Sequence, residues 1–71
     1  MALPLSALEQ SLNRKVELML KDRRVLHGTL AGFDEHMNLV LSDAVERTKE
    51  GSRSVGTVVL RGNNVVSISP K

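Results

Sequence analysis

Two polar stretches of this chain gather most of the side chains that could do chemistry. Asp34-Glu35-His36-Met37-Asn38 offers a carboxylate, an imidazole and an amide, and Arg61-Gly62-Asn63-Asn64 offers a guanidinium beside two amides. Catalysis is poorly served by this set. There is no Cys, no paired-carboxylate arrangement, no phosphate-cradling glycine loop and no Ser/His/Asp set with a defensible geometry, so no enzyme is expected. Metal binding fares no better. His27 and His36 stand nine residues apart without a matching second pair, and no thiolate is present, so neither a structural zinc nor any other cofactor is expected. Recognition remains. A binder of single-stranded nucleic acid normally stacks bases on Phe, Tyr or Trp, and the one aromatic residue here is Phe33. If this chain binds RNA, it must stack with something else. Each residue also has a plain reading: His36 as a solvated turn residue, Asn38 as a partner of its own backbone, Arg61 as an ordinary turn charge.

Size and composition limit what can position these groups. A chain of 71 residues leaves room for one small domain, 1–71. Such a chain buries only about 60% of the surface its unfolded state exposes, and a core below ~80 residues rarely supplies more than ~3–5 kcal/mol. With disulfides and metals set aside, self-association is left. Apolar residues at 41% are too many for a disordered chain. No apolar run approaches the ~20 residues of a membrane-spanning helix, so no membrane partner is expected. The first residues, Met1-Ala-Leu-Pro-Leu-Ser, have neither a basic region nor a long apolar one, and no secretory signal is expected. A net charge of +2 is a weak tilt toward polyanions.

The elements follow from periodicity. Pro4 suits a first helical position, and Leu5, Leu8 and Leu12 form one apolar stripe, predicting a short helix over about 4–12. About two turns are not stable alone, so the helix must lie on something or cap a barrel. From Lys15 to Lys21 the period becomes two, with Val16, Leu18 and Leu20 on one face. Lys21-Asp22-Arg23-Arg24 is a polar turn. Val25 to Phe33 is a second strand, in which Gly28 and Gly32 permit sharp bending or close approach of another backbone. Asn38 to about Arg47 is a third strand, Thr48 to Ser54 a solvated loop, Val55 to Leu60 a fourth strand, and Val65 to Ser69 a fifth, ended by Pro70. Lys49, Arg53 and Lys71 belong to a solvated fringe, and His27 to the surface. The expected fold is mainly β: a short helix, then a strongly bent five-stranded antiparallel sheet or partly open barrel.

Two segments resemble the paired motifs of the Sm/Lsm family of RNA-binding proteins. The first spans 16–43, centred on Gly28-Thr-Leu-Ala-Gly-Phe33-Asp34-Glu-His36-Met37-Asn38; the second, over 60–66, is Leu60-Arg61-Gly62-Asn63-Asn64-Val65-Val66. The resemblance implies this same helix-plus-bent-sheet fold. It also implies a homo-oligomeric ring, usually of seven subunits in archaeal members, closed by the fourth strand of one copy against the fifth strand of the next. The Arg-Gly-x-Asn turn is similar to that of archaeal and eukaryotic rather than bacterial members. An archaeal chain of this kind is expected in the cytoplasm.

The resemblance further implies a ligand, U-rich single-stranded RNA held around a central pore, and a role as RNA scaffold or chaperone among other RNA-processing proteins. His36, Asn38 and Arg61 match the family positions that hold a uracil. His36 and Arg61 are flat groups able to sandwich a base, and Asn38 carries one acceptor and two donors that suit uracil N3–H and O4. Asp34 would brace the turn, Met37 would pack beneath it, and Gly62 would shape the second turn. Asn63 departs from the Asp common in archaeal members, removing a charge-assisted partner and a negative charge near the pore. A rival reading, a small β-barrel that binds proteins through its strand edges and no nucleic acid, remains open. So does an RNA surface on the helix around Gln10 and Asn13.

Overall fold

The computed structural model describes residues 5–71. Helix α1 covers Leu5–Ser11 and is followed by β1 (Lys15–Leu20), β2 (Val25–Phe33), β3 (Asn38–Thr48), β4 (Gly51–Arg61), a 3₁₀ turn (Gly62–Asn64) and β5 (Val65–Pro70). Pro4, expected at the helix start, lies outside the described residues. The helix is fixed to the sheet by the residues that follow it and by one side chain. Asn13 N–H donates to the Leu30 carbonyl at 2.7 Å, and Leu30 N–H donates to the Arg14 carbonyl at 3.0 Å. Of the expected stripe only Leu8 is buried, while Leu5 and Leu12 stay largely exposed. No helix among the described residues is long and apolar enough to cross a membrane.

All five strands form one antiparallel sheet in the order β4-β3-β2-β1-β5. The alternation in β1 is realised: Val16, Leu18 and Leu20 are buried, and they join Leu8, Leu26, Leu30, Leu39, Leu41, Ala44 and Val65 in one core. The sheet bends where its ladders slip. Register shifts fall between His27 and Thr29 and between Leu30 and Gly32 in β2, and on both sides of Ala44 in β3; an extra residue at such a bulge bends the strand and raises its twist. Gly28 sits in this line, and a Cβ there would meet the Ser42 carbonyl oxygen at 2.8 Å. Close backbone approach is therefore the reason for glycine at 28. At Gly32 no atom lies within 4 Å of a Cβ position, so the expectation of close approach fails there.

The expected loop over Thr48–Ser54 is instead a continuous hairpin. Its tip is Lys49–Glu50, and the ladder pairs Thr48 with Gly51, Arg47 with Ser52, Glu46 with Arg53 and Val45 with Ser54. Gly51 takes φ +132°, and the Thr48 hydroxyl donates to the Gly51 carbonyl at 3.0 Å. Residues 51–54 are all exposed, so no apolar alternation marks them as strand. Arg53 stays exposed, as expected of the solvated fringe, but is tied down by an ion pair. Its Nε donates to Glu46 Oε1 at 3.0 Å, while Arg24 Nη1 donates to Oε2 of the same carboxylate at 3.2 Å. Glu46, only 5% exposed, thus ties the β1–β2 turn to the hairpin. His27, read as a surface residue, lies 3.4 Å from the Arg47 guanidinium.

Candidate nucleic-acid interface

The β2–β3 turn is built around one carboxylate. Asp34 Oδ1 accepts the backbone N–H groups of His36 and Asn38, each at 2.9 Å, and Oδ2 accepts the side-chain amide Nδ2 of Asn38 at 2.9 Å. Backbone bonds close the loop: Met37 N–H to the Asp34 carbonyl and Asp34 N–H to the Asn38 carbonyl, both 3.1 Å. Met37 takes φ +64°, a conformation that L-residues hold only when the surroundings fix it. Those surroundings include the core, against which half-buried Met37 packs. The carboxyl of Asp34 is held below its ordinary value, first by the Asn38 side-chain amide, then by the Asn38 backbone N–H, with the His36 N–H and ring adding to it against the opposing effect of desolvation.

The β4–β5 turn meets this loop directly. Asn38 and Arg61 are ladder partners at the facing ends of β3 and β4, so an amide and a guanidinium 23 residues apart in sequence start from adjacent backbone positions. Gly62 is required by the contact. A Cβ at that position would collide with the Met37 carbonyl oxygen and lie 2.8 Å from Met37 Cβ. The 3₁₀ turn then lifts Asn63 to the surface, and the Val65 N–H donates to the Gly62 carbonyl at its end.

These two turns enclose an open cleft of ≈ 350 Å³ lined by His36, Asn38, Arg61, Gly62 and Asn63. Five of the seven residues singled out in sequence therefore share one concavity; of the other two, exposed Asp34 hydrogen-bonds to Asn38 and half-buried Met37 packs against Gly62 and the core. Its floor is an amide whose orientation is set: one Asn38 N–H is committed to Asp34, leaving Oδ1 and the second N–H for a ligand. Its flanks are an exposed imidazole and the Arg61 guanidinium, which has no carboxylate within ion-pairing reach among the described residues. A flat ring carrying an adjacent donor and acceptor on one edge suits such a site. Phe33 packs on the core rather than at the cleft. Sequence reasoning missed Glu35, whose carboxylate lies 3.6 Å from His36 Nε2; adjacency in sequence was the one signal for it. No group of three or more His, Cys, Asp or Glu side chains among the described residues could hold a metal.

Comparison with known proteins bears on this site. The LSM domain model matches residues 6–70. A chain from Methanococcoides burtonii named for its likeness to snRNP Sm proteins is 49% identical over 69 residues, covering 94% of each chain. Among solved structures, a heptameric archaeal Sm protein superimposes with a TM-score of 0.85 at 39% identity, covering 93% of this chain and 97% of the other. The Pyrococcus abyssii Sm protein, solved in complex with a uridine heptamer, superimposes with a TM-score of 0.86 at 37% identity, covering 97% and 99%.

Proposed function

This chain belongs to the LSM domain family, and we propose that it forms a ring, of seven copies, that binds U-rich single-stranded RNA as a scaffold or chaperone. The observation that carries the proposal is the cleft, in which an oriented amide stands between an imidazole and a guanidinium. A uracil enters flat between His36 and Arg61, donates N3–H to Asn38 Oδ1 and accepts at O4 from the remaining Asn38 N–H. Cytosine presents an acceptor at N3 and a donor at C4, so the same amide opposes it. Asn63 lines the rim, where an amide in place of a carboxylate spares the RNA phosphates a repulsion.

Assembly rests on the sheet edges. β4 and β5 are the two outer strands, and each presents an apolar residue to solvent, Val59 at 70% and Val66 at 38% exposure. Unpaired edges of this kind invite strand addition. Pairing β4 of one copy with β5 of the next is a head-to-tail contact that closes into a ring and repeats the base cleft around it. The experiment is native mass spectrometry joined to a titration with heptameric oligo-U and oligo-C. A seven-copy mass with preference for oligo-U supports the reading; a monomer, or equal affinity for both oligomers, refutes it. Binding of neither oligomer, with protein capture through the strand edges, would favour a protein-binding barrel.

A further inference from the structure

A second concavity lies on the other side of the 3₁₀ turn from the base cleft. It measures ≈ 210 Å³ and is lined by Leu20, Lys21, Asp22, Arg24, Leu60 and Asn64. The two clefts share one wall: residues 60–64 supply Arg61, Gly62 and Asn63 to the first, and Leu60 and Asn64 to the second. The wall is held to the β1–β2 turn by the Lys21 N–H, which donates to the Asn64 carbonyl at 2.9 Å.

The charges of this second cleft are not balanced within it. Lys21, Arg23 and Arg24 fall in four consecutive residues with one acid, Asp22. Both oxygens of Asp22 are occupied by Arg24, Oδ1 by the backbone N–H at 3.1 Å and Oδ2 by Nε at 2.7 Å. Arg24 is tied further to Glu46. Lys21 and Arg23 have no carboxylate within 4.0 Å among the described residues. The Asn64 side-chain amide makes no hydrogen bond among them either. The volume lies below the ~300–1,000 Å³ of sites that enclose a whole small molecule, so a compact anion fits better than another base.

We propose that this second cleft is a phosphate subsite for the RNA strand whose base occupies the first, with Lys21 as the cation and the Asn64 amide as a hydrogen-bond donor to phosphate oxygen. The subsite rests on the base-cleft reading and adds a path: a strand leaving the uracil site crosses the 3₁₀ turn and meets Lys21. Specificity and charge are thereby divided between the two sides of one turn. Asn38 reads the base, and Lys21 holds the backbone.

The test uses the full chain and heptameric oligo-U, titrated over a series of KCl concentrations. Lys21→Gln should weaken binding at low salt and flatten the log-affinity against log-salt slope by about 0.7 for each phosphate that is no longer neutralised. Native mass and the U-over-C ratio should not change, and Lys21→Arg should keep the slope. Asn38→Ala should do the reverse, lowering the ratio and keeping the slope, so failure of either cleft is separately visible. An unchanged slope in an assembled Lys21→Gln protein overturns the subsite. Amide shifts of Lys21 and Asn64 in the unsubstituted protein serve as a second reading. Movement on adding oligo-U but not uridine supports the subsite. No movement with oligo-U overturns it.

Discussion

Replacing Asp34 by asparagine isolates the one atom that orients the amide proposed to read the base. The side chain of an Asp34→Asn variant keeps Oδ1, which accepts from the His36 and Asn38 backbones. In place of Oδ2, the acceptor of the Asn38 amide, it carries a donor. The Asn38 amide is nearly symmetric in shape, and its two orientations differ only in which end donates. In the native turn, the bond to Oδ2 fixes the orientation that matches uracil. In the variant, Asn38 gains by turning its oxygen toward the new donor, which presents the pattern that cytosine requires. A well-formed pair of side-chain bonds to a base edge discriminates by about 1–3 kcal/mol, or roughly 5- to 150-fold at 1.4 kcal/mol per decade. Asp34→Asn should therefore remove most of the U-over-C ratio, and a reversal toward C is the full form of the effect. Fluorescence anisotropy with labelled heptamers of U and of C, at fixed salt, reads the ratio. A variant with native mass and an unchanged ratio would rule this mechanism out, because the amide would then be oriented by something other than Asp34.

Three further outcomes follow from the same geometry. His36→Ala and Arg61→Ala each remove one face of the proposed sandwich and should cost about 1–3 kcal/mol per stacked base, spread alike over U and C heptamers in parallel titrations. Gly62→Ala forces a methyl against Met37 and should destabilise the fold by about 1–3 kcal/mol, read from the urea midpoint. Because the Asp34 carboxyl titrates below its ordinary value of 3.8, its contribution is present above that value and lost only as pH falls through the lower, folded-state one. The U-over-C ratio, measured from pH 7 down to about 4.5, should therefore hold steady on account of Asp34.

Much of the fold is legible in residue periodicity, and the exceptions have physical causes. Val16, Leu18 and Leu20 alternate because β1 has a buried and a wet face. Residues 51–54 carry no such signal because all four are exposed on the β4 arm of the hairpin, and what orders them is cross-strand pairing with β3. The Arg53–Glu46–Arg24 linkage was illegible for a related reason: it joins residues that only strand pairing brings together, Glu46 opposite Arg53 on β4 and opposite Leu26 on β2. Gly28 and Gly32 look alike in sequence, yet only Gly28 faces a neighbouring backbone. The candidate site was more legible than its neighbourhood. Its seven residues lie in two short turns, and the Asn38–Arg61 pairing that joins them follows from strand order. The contact of Lys21 with Asn64 depends on β1 pairing with β5, a long-range match that no local pattern announces.

Everything in the proposed recognition depends on the base sitting between the β2–β3 and β4–β5 turns. Photocrosslinking with a heptamer of 4-thiouridine, followed by mapping of the modified peptides by mass spectrometry, locates the base without substituting any residue. Adducts confined to the stretches containing His36–Asn38 and Arg61–Asn63 are expected. Adducts on the helix around Gln10 and Asn13, with none at either turn, would place the base elsewhere and overturn the cleft as its site.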